Sequence, residues 1–259
     1  MNKISNILVP FDFSGSSKKA LDYAMDFIKD NKDMKIIMAY VTNDNNHKEL
    51  KKSFDSIMVK NKIKENVEWV SGSGSLIDFL TSILESKQID LVIMGTFGAL
   101  NDPYKESTNT SKMVLEADCP VLVIPYKIDD FKIKDIALVI GKEEIDDAKV
   151  LNVLLDISRK FKAKVHVVTI KNLPETYGYS PIDEKNENIL AYYLEEFYSE
   201  HTFIEHTDVL EGIMTYAKKH NIDMITILPR NHAKNSEKSK GQLTELLTLH
   251  SKIPVLAID

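Results

Sequence analysis

Two segments of the sequence place polar side chains directly after apolar, strand-like runs. The first reads ILVPFDFSGSS from Ile7 to Ser17, so that the carboxylate of Asp12 follows a strand and serines open the next helix. Ligands of open α/β sheets bind beyond the carboxyl ends of the strands, which makes Asp12 a candidate acceptor for a ribose or a base amine. The alternative interpretation is a solvated turn aspartate beside a helix N-cap at Ser14.

The second segment joins a later strand to a helix. It reads MGTFGA from Met94 to Ala99 and, after a polar loop, STNTS from Ser107 to Ser111. Glycines let a backbone approach a ligand closely, and a helix N-terminus favours a phosphate through its free amides and its dipole. Two glycines alone are a weak signal, and the hydroxyl cluster is equally consistent with simple helix capping.

The elements that must position these residues form a regular alternation. In the first half, short apolar runs predict five strands and the stretches between them predict four amphipathic helices. The strands are Ile4–Pro10, Lys35–Val41, Val67–Ser71, Leu91–Met94 and Val121–Ile124, and the helices lie near Ser16–Lys29, Lys48–Lys62, Leu76–Ser86 and Asn109–Ala117. Apolar strands alternating with helices predict a parallel sheet covered on both faces.

The second half repeats this order. IDLVI from Ile89 matches IDMIT from Ile222, and CPVLVI from Cys119 matches IPVLAI from Ile253. A helix is expected from Glu144 to Phe161. The spacing is that of a duplicated domain rather than of a solenoid, and it predicts two homologous sandwiches of helix, sheet and helix. Because an open apolar edge strand invites aggregation, the last strands of the two halves are expected to meet as an intramolecular pseudo-dimer.

Composition excludes several classes of function. The net charge is -6 with acids and bases mixed along 259 residues, so the sequence offers no basic patch for nucleic acid. The single cysteine rules out an intrachain disulfide, and no apolar run reaches the length of a membrane span. The N-terminus has no signal-peptide pattern, so a cytoplasmic location is expected.

Taken together, residues 7–20, 89–98 and 107–124 resemble the universal stress protein domain. Its ATP-binding members carry a strand that ends in Asp and a later G-x-x-G-x9-G-[ST] motif. The resemblance covers both halves and implies two tandem Rossmann-like, doubly wound α/β domains of the adenine nucleotide alpha hydrolase-like kind. Each would hold a five-stranded parallel sheet, and the two, residues 1–126 and 134–259, would be related by a pseudo-twofold axis.

The resemblance also implies a site for ATP or AMP in the first domain, with Mg²⁺ as a companion of ATP. The base and ribose would be surrounded by Pro10, Asp12 and Val41. Ribose and phosphates would be flanked by Met94, Gly95 and Gly98. Phosphate oxygens would be held by Ser107, Thr108 and Asn109.

The sequence departs from the family motif in both halves. Ser107 replaces the third glycine, which costs roughly 1–2 kcal/mol where the backbone needs a positive φ, and the loop acids Asp102 and Glu106 add negative charge. In the second half Gly141 stands in the place of Asp12, and ILPRN from Ile227 replaces the glycine segment. The second domain is therefore expected to be a degenerate, non-binding partner of the first.

Three functions remain open on these grounds. The leading hypothesis is a stress-response regulatory module that binds an adenine nucleotide and signals to an unknown protein partner, as a single chain or as a homodimer. A ligand-free tandem scaffold with two degenerate sites is the second. A slow ATP-hydrolysing enzyme is the third, although no motif positions a general base.

Overall fold

The computed structural model describes residues 3–29, 31–42, 47–60, 66–99, 108–128, 130–141, 144–145, 148–228 and 242–258. The strands in these ranges are β1 Asn6–Pro10, β2 Lys35–Val41, β3 Val67–Gly72, β4 Leu91–Thr96, β5 Val121–Pro125, β6 Asp135–Ile140, β7 Lys164–Lys171, β8 Tyr198–Glu205, β9 Met224–Ile227 and β10 Val255–Ala257. The helices are α1 Gly15–Ile28, α2 His47–Lys60, α3 Leu76–Lys87, α4 Asn109–Glu116, α5 Asn152–Phe161, α6 Pro181–Leu194, α7 Val209–Lys219 and α8 Gln242–His250.

Polar side chains define where many of these helices begin. In α1, α3, α4, α6 and α7 the residue before the first turn accepts a hydrogen bond from a backbone N–H of that turn; these caps are Ser14, Ser75, Thr108, Ser180 and Asp208. Each cap satisfies an amide that has no partner within the helix, and its loss costs about 1 kcal/mol.

All ten strands form one sheet in the order β3-β2-β1-β4-β5-β10-β9-β6-β7-β8. Neighbours within each half are parallel, and β5 and β10 pair antiparallel. The meeting of the last strands is therefore confirmed. The expectation of two separate sheets is wrong, because the β5–β10 ladder makes the sheet continuous, but the strand order on either side of it is the same.

The β5–β10 ladder carries the symmetry of the duplication. Leu122 lies opposite Leu256, and the flanking pairs are Val121 with Ala257 and Val123 with Val255. Since the two strands are equivalent positions of the two halves, the pseudo-twofold axis passes through the Leu122–Leu256 pair. Both strands are buried, so neither half leaves an apolar edge open at this point.

Two layers of helices cover the sheet, and each layer spans both halves. One apolar layer contains α1 and α2 together with α5 and α6, and the other contains α3 and α4 together with α7 and α8. Across the pseudo-twofold axis, Phe27 of α1 lies 5.2 Å from Phe161 of α5, measured between ring centroids. The junction takes part in this packing, because Phe131 lies 4.6 Å from Tyr23 and 5.4 Å from Phe161.

The helix expected from Glu144 starts later than the sequence indicates. A short 3-10 turn begins at Ala148 and α5 begins at Asn152. The backbone N–H of Ile145 instead donates to Oδ1 of Asn186, a buried residue of α6, at 2.9 Å. The backbone N–H of Ile145 is thus bonded to a distant helix rather than within α5.

Candidate functional site

A cavity of about 300 Å³ lies at the carboxyl ends of β1, β2 and β4, beside the N-terminus of α4. This is the position at which open α/β sheets bind ligands, and the volume is at the lower end of the range for small-molecule sites. The predicted residues that line it are Pro10, Asp12, Val41, Met94, Gly95, Thr108 and Asn109. Ser107 and the loop acids Asp102 and Glu106 lie outside the described residues.

Asp12 is held in a fixed orientation within the loop after β1. Its Oδ1 accepts the backbone N–H of Ser14 at 3.0 Å, and its own N–H donates to the hydroxyl of Ser17 at 3.3 Å. Burial by itself would raise the pKa of Asp12, but hydrogen bonds from Ser14 and Ser17 outweigh it and leave the pKa below its usual range. Asp12 is therefore an ionised acceptor at neutral pH.

Phe13 determines the direction of this loop. Its φ of 64° is in the left-handed region, which costs a residue with a side chain roughly 1–2 kcal/mol. The ring packs against Phe11, Tyr40 and Phe54, at centroid distances of 5.1, 5.5 and 5.4 Å. The aromatic packing offsets the strain, and the unusual backbone turn separates the Phe13 ring from Asp12, which lines the cavity.

Gly95 allows β4 and α1 to meet beside the cavity. A Cβ at this position would stand 2.0 Å from the backbone oxygen of Ser16, a distance that no side chain tolerates. Its carbonyl also accepts the hydroxyl of Thr110 at 3.2 Å, which ties α4 to the end of β4. Gly95 thus lines the cavity and at the same time fixes the two helices that border it.

The N-terminus of α4 faces the cavity with a closed capping box. The N–H of Ser111 donates to Thr108 Oγ1 at 3.0 Å, and the N–H of Thr108 donates to Ser111 Oγ at 2.8 Å. The capping interpretation of these hydroxyls is therefore correct. The amides of the intervening first-turn residues have no partner within the helix, so the helix end retains donors and the positive end of its dipole.

Gly98, in contrast, does not line this cavity. Its φ is 56°, and a Cβ would lie 2.3 Å from the backbone oxygen of Leu249 in α8. The neighbouring Ala99 N–H donates to that same oxygen at 3.1 Å. Gly98 instead lies in the contact between the two halves and lines a different cavity there, so its role at the nucleotide site stays a prediction.

Several lining residues were not anticipated from the sequence. They are Phe11, Ser16, Ser17, Ala39, Leu76, Thr96, Phe97 and Thr110. Most of them are neighbours in sequence of the predicted residues, on β1, β2, β4 or at the adjoining helix starts, and this position is the only feature that could have identified them. Leu76 comes from α3 and carries no local signal at all.

The corresponding region of the second half is built differently. By strand register Ile136 pairs with Met224 as Ile7 pairs with Leu91, so Gly141 follows β6 where Asp12 follows β1. No carboxylate side chain can enter at that point. The segment that stands in place of the glycine motif, from Pro229 to Asn231, lies outside the described residues.

Two further kinds of arrangement are absent from the described ranges. No group of three or more His, Cys, Asp or Glu side chains in them is arranged to hold a metal ion. Within the same ranges, no helix combines the length and apolar character that crossing a membrane requires.

The fold and the site define the class of protein, a duplicated and doubly wound α/β chain with a ligand-sized cavity in its first half. Residues 3–125 match the model of the Universal stress protein family. The match covers the first half of the chain, and the second half repeats the fold of the first. Among curated proteins, no sequence matches the chain significantly.

Solved structures agree with this fold along the whole chain. A universal stress protein from Archaeoglobus fulgidus DSM 4304 is 17% identical, with 98% of each chain covered and a TM-score of 0.71. A candidate universal stress protein from Pseudomonas aeruginosa UCBPP-PA14 is 18% identical, with 98% of this chain and 93% of that chain covered and a TM-score of 0.69. At these identities the likeness establishes the architecture.

Proposed function

We propose that the protein is a stress-response regulatory module that binds an adenine nucleotide, ATP or AMP, in the cavity of its first half. The observation that carries the proposal is that one cavity contains both a negatively charged hydrogen-bond acceptor and a group of hydrogen-bond donors at the positive end of a helix dipole. An ionised Asp12 lies at one side, and the N-terminus of α4 lies at another. A nucleotide has hydroxyls that suit the carboxylate and phosphates that suit the helix end.

The residues divide into roles along such a ligand. Asp12 would accept hydrogen bonds from the ribose hydroxyls or the base amine. Pro10 and Val41 would contact the base and the ribose. Met94 and Gly95 would border the ribose. Thr108 and Asn109, with Ser107 next to them in the sequence, would meet the phosphates, and Mg²⁺ would enter bound to the phosphates of ATP.

The charge of Asp12 favours hydroxyl recognition over direct contact with phosphate. A carboxylate only accepts hydrogen bonds, so it would repel a phosphate in the same place. The nucleotide is therefore expected to bind with its ribose toward Asp12 and its phosphates toward α4. AMP and ATP would differ only near the N-terminus of α4, where the additional phosphates of ATP would accept hydrogen bonds from additional N–H and hydroxyl groups.

The test is titration calorimetry of the full chain with ATP and AMP, together with analysis of nucleotide released from freshly purified protein. We expect dissociation constants from submicromolar to micromolar. Asp12→Ala should weaken binding by roughly tenfold or more, as expected for a lost charged hydrogen bond. No heat and no thermal shift with either nucleotide would overturn the proposal.

Two further variants separate recognition from folding. Asp12→Asn keeps one oxygen that can accept the Ser14 N–H but removes the charge and replaces the other oxygen by an NH2 donor, so its affinity should lie between those of the unaltered protein and Asp12→Ala. Asp33→Ala, at an exposed position of the first half, removes a carboxylate away from the cavity. It should bind as the unaltered protein does, and thermal melts of all three variants report whether the fold is retained.

A ligand-free tandem scaffold is the second candidate, and the Gly98–Leu249 contact favours it. A glycine of the expected binding motif here serves the packing of the halves rather than the cavity. The same calorimetry decides between the two. Protein that is purified without nucleotide and binds neither ATP nor AMP would support the scaffold.

A further inference from the structure

The segment between β7 and the start of β8 has an unusual composition. Residues 172–200 contain seven acidic residues against a single lysine. That lysine, Lys185, is paired with Glu144, so its charge is already matched. Of the seven acids, Asp183 is buried against Lys171 and Glu195 pairs with Arg159, and the remaining five give this part of the second half an acidic surface.

The same surface exposes large apolar and aromatic side chains. Tyr192 is 87% exposed and Tyr179 is 57% exposed, and Leu173, Ile182 and Tyr177 are also exposed. Single exposed apolar residues are ordinary, whereas exposed apolar side chains that lie together on a surface indicate an interaction site. We refer to Leu173, Glu175, Tyr177, Tyr179, Glu184 and Tyr192 as the acidic tyrosine surface.

The loop that carries most of this surface is anchored. Lys171, which is 6% exposed, pairs with Asp183 at 2.6 Å and also donates to the carbonyl of Gly178. Asp183 in turn closes the capping box of α6 with Ser180. The buried ion pair fixes both ends of the 172–180 segment, and its aromatic residues therefore stay exposed in a defined arrangement.

The loop lies alongside α6. The hydroxyl of Tyr179 donates to Oε2 of Glu187 at 2.7 Å, and its ring lies 5.4 Å from Phe203 of β8. Glu184, Asn188 and Tyr192 follow at spacings of four on the helix and are all exposed. Exposed acids and tyrosines therefore run from the loop along the outer side of α6.

In the first half the equivalent connection between strand and helix is shorter. β2 ends at Val41 and α2 begins at His47, whereas β7 ends at Lys171 and α6 begins at Pro181. The half that has lost the carboxylate of the nucleotide motif has a longer, anchored loop instead. Loops on a rigid scaffold are where α/β proteins place recognition residues.

We infer that the acidic tyrosine surface binds an arginine-rich segment of a partner protein. A guanidinium pairs with carboxylates through two parallel hydrogen bonds and stacks on aromatic rings, so it suits both features of this surface. A second copy of the chain does not suit it, because a twofold contact would set acid against acid. This binding does not depend on nucleotide and is measured without it.

The probe is a synthetic peptide that alternates arginine and serine, and binding to the full chain is followed by fluorescence anisotropy. A lysine–serine peptide and spermine are the comparison ligands. We expect the arginine peptide to bind at least about threefold more tightly than the lysine peptide. Its affinity should fall steeply as salt is raised, because exposed charge pairs are screened.

Matched variants locate the site. Glu175→Gln with Glu184→Gln removes two charges from the surface, and Glu85→Gln with Glu116→Gln removes two exposed charges from the first half. The first pair should weaken binding about tenfold and the second by less than about twofold. Tyr192→Ala should weaken binding roughly three- to fivefold, whereas Tyr192→Phe keeps the ring and should leave it unchanged.

Three outcomes would overturn the inference. An equal loss of peptide affinity in both pairs of glutamine variants would mean that binding responds only to the net charge of the protein. Equal affinity for the two peptides, or full competition by dilute spermine, would mean attraction of point charges without arginine recognition. Self-association of the unaltered chain through this surface, abolished by Tyr192→Ala in sedimentation velocity, would assign the surface to a second copy.

Discussion

Asp90 and Asp223 occupy equivalent positions in the two halves and make the same pair of hydrogen bonds. Oδ2 of Asp90 accepts the backbone N–H groups of Ser5 and Asn6, at 2.8 and 2.9 Å. Oδ2 of Asp223 accepts those of Lys134 and Asp135, at 2.8 and 3.0 Å. Each aspartate thus joins the start of the fourth strand of its half to the start of the first.

This repeated contact predicts equal and additive losses of stability. Asp90→Ala and Asp223→Ala should each lower the free energy of unfolding by about 2–3 kcal/mol, since each leaves two backbone donors without their charged acceptor. The double variant should lose the sum, because the two sites share no partner. Urea unfolding measures the losses.

Asn variants at the same positions serve as the control. An amide oxygen can replace Oδ2 as the acceptor without the charge, so Asp90→Asn and Asp223→Asn should lose less than half as much. Asp223 also pairs with Lys132 at 2.8 Å, but that lysine is exposed and the pair contributes little. A loss at Asp90 several times that at Asp223 would contradict the equivalence of the two contacts.

Periodic and local features of the sequence predict much of this fold. The alternation of strands and helices and the position of Asp12 after a strand follow from patterns within a few residues, and the duplication and the meeting of β5 and β10 follow from comparing the two halves of the sequence. Asp12 lines the cavity after β1, and the end of that buried strand is visible in the sequence. The capping of α4 is likewise local, since Thr108 and Ser111 are three residues apart.

Contacts between distant parts of the chain are the part of the structure that the sequence does not reveal. Gly98 belongs by pattern to the binding motif, and its close approach to the backbone oxygen of Leu249 gives it a place in the contact between the halves as well. The backbone of Ile145 is bonded to Asn186, which lies far along the chain, and Ile145 stays outside α5. Neither contact has a signal in the neighbouring sequence, so sequence patterns alone do not predict them.

Gly98→Ala should lower the free energy of unfolding far more than the replacement of a glycine that only needs a positive φ. Gly74 offers the comparison, because it also has a positive φ, 104°, but a Cβ there would have no atom within 4 Å. Gly74→Ala should cost about 1–3 kcal/mol from backbone strain alone. Gly98→Ala adds a clash 2.3 Å from a backbone oxygen that cannot rotate away.

The measurement is urea unfolding of both variants, supported by limited proteolysis of the junction between the halves. Gly98→Ala should lose clearly more stability than Gly74→Ala and should become sensitive to cleavage near Tyr126–Ile133. Equal losses would mean that the Gly98–Leu249 approach relaxes without cost.

At Phe13, a glycine variant should be more stable than an alanine variant, which is the reverse of the usual order. Phe13→Ala removes the ring from the aromatic packing but keeps a side chain at a φ of 64°. Phe13→Gly removes the ring and the strain together, so the glycine variant should be about 1 kcal/mol more stable than the alanine variant. Both should be less stable than the unaltered protein, by about 2–4 kcal/mol for alanine.

Trp69 provides the readout for this region. It is the single tryptophan, and its ring stacks on Phe54 at a centroid distance of 4.8 Å. Because Phe54 also touches Phe13, both Phe13 variants should alter the fluorescence of the native state as well as the unfolding midpoint. If the alanine variant is the more stable of the two, the backbone strain at Phe13 does not exist.

Cys119 should be unreactive in the native protein and should make stability decline at high pH. Burial, followed by the nearby Asp90 carboxylate, raises the pKa of the thiol to about 12. At pH 8 the thiolate is then about a thousandfold scarcer than in an unfolded chain, whose thiol has a pKa near 8.5, so native labelling by a disulfide reagent should slow to the rate of unfolding.

Because the folded pKa is the higher one, the contribution to stability is fully present below about pH 8.5 and is lost as pH rises toward 12. Cys119→Ala should lose less stability between pH 8 and pH 10 than the unaltered protein does, and rapid native labelling at pH 8 would show that the thiol is accessible and ionised.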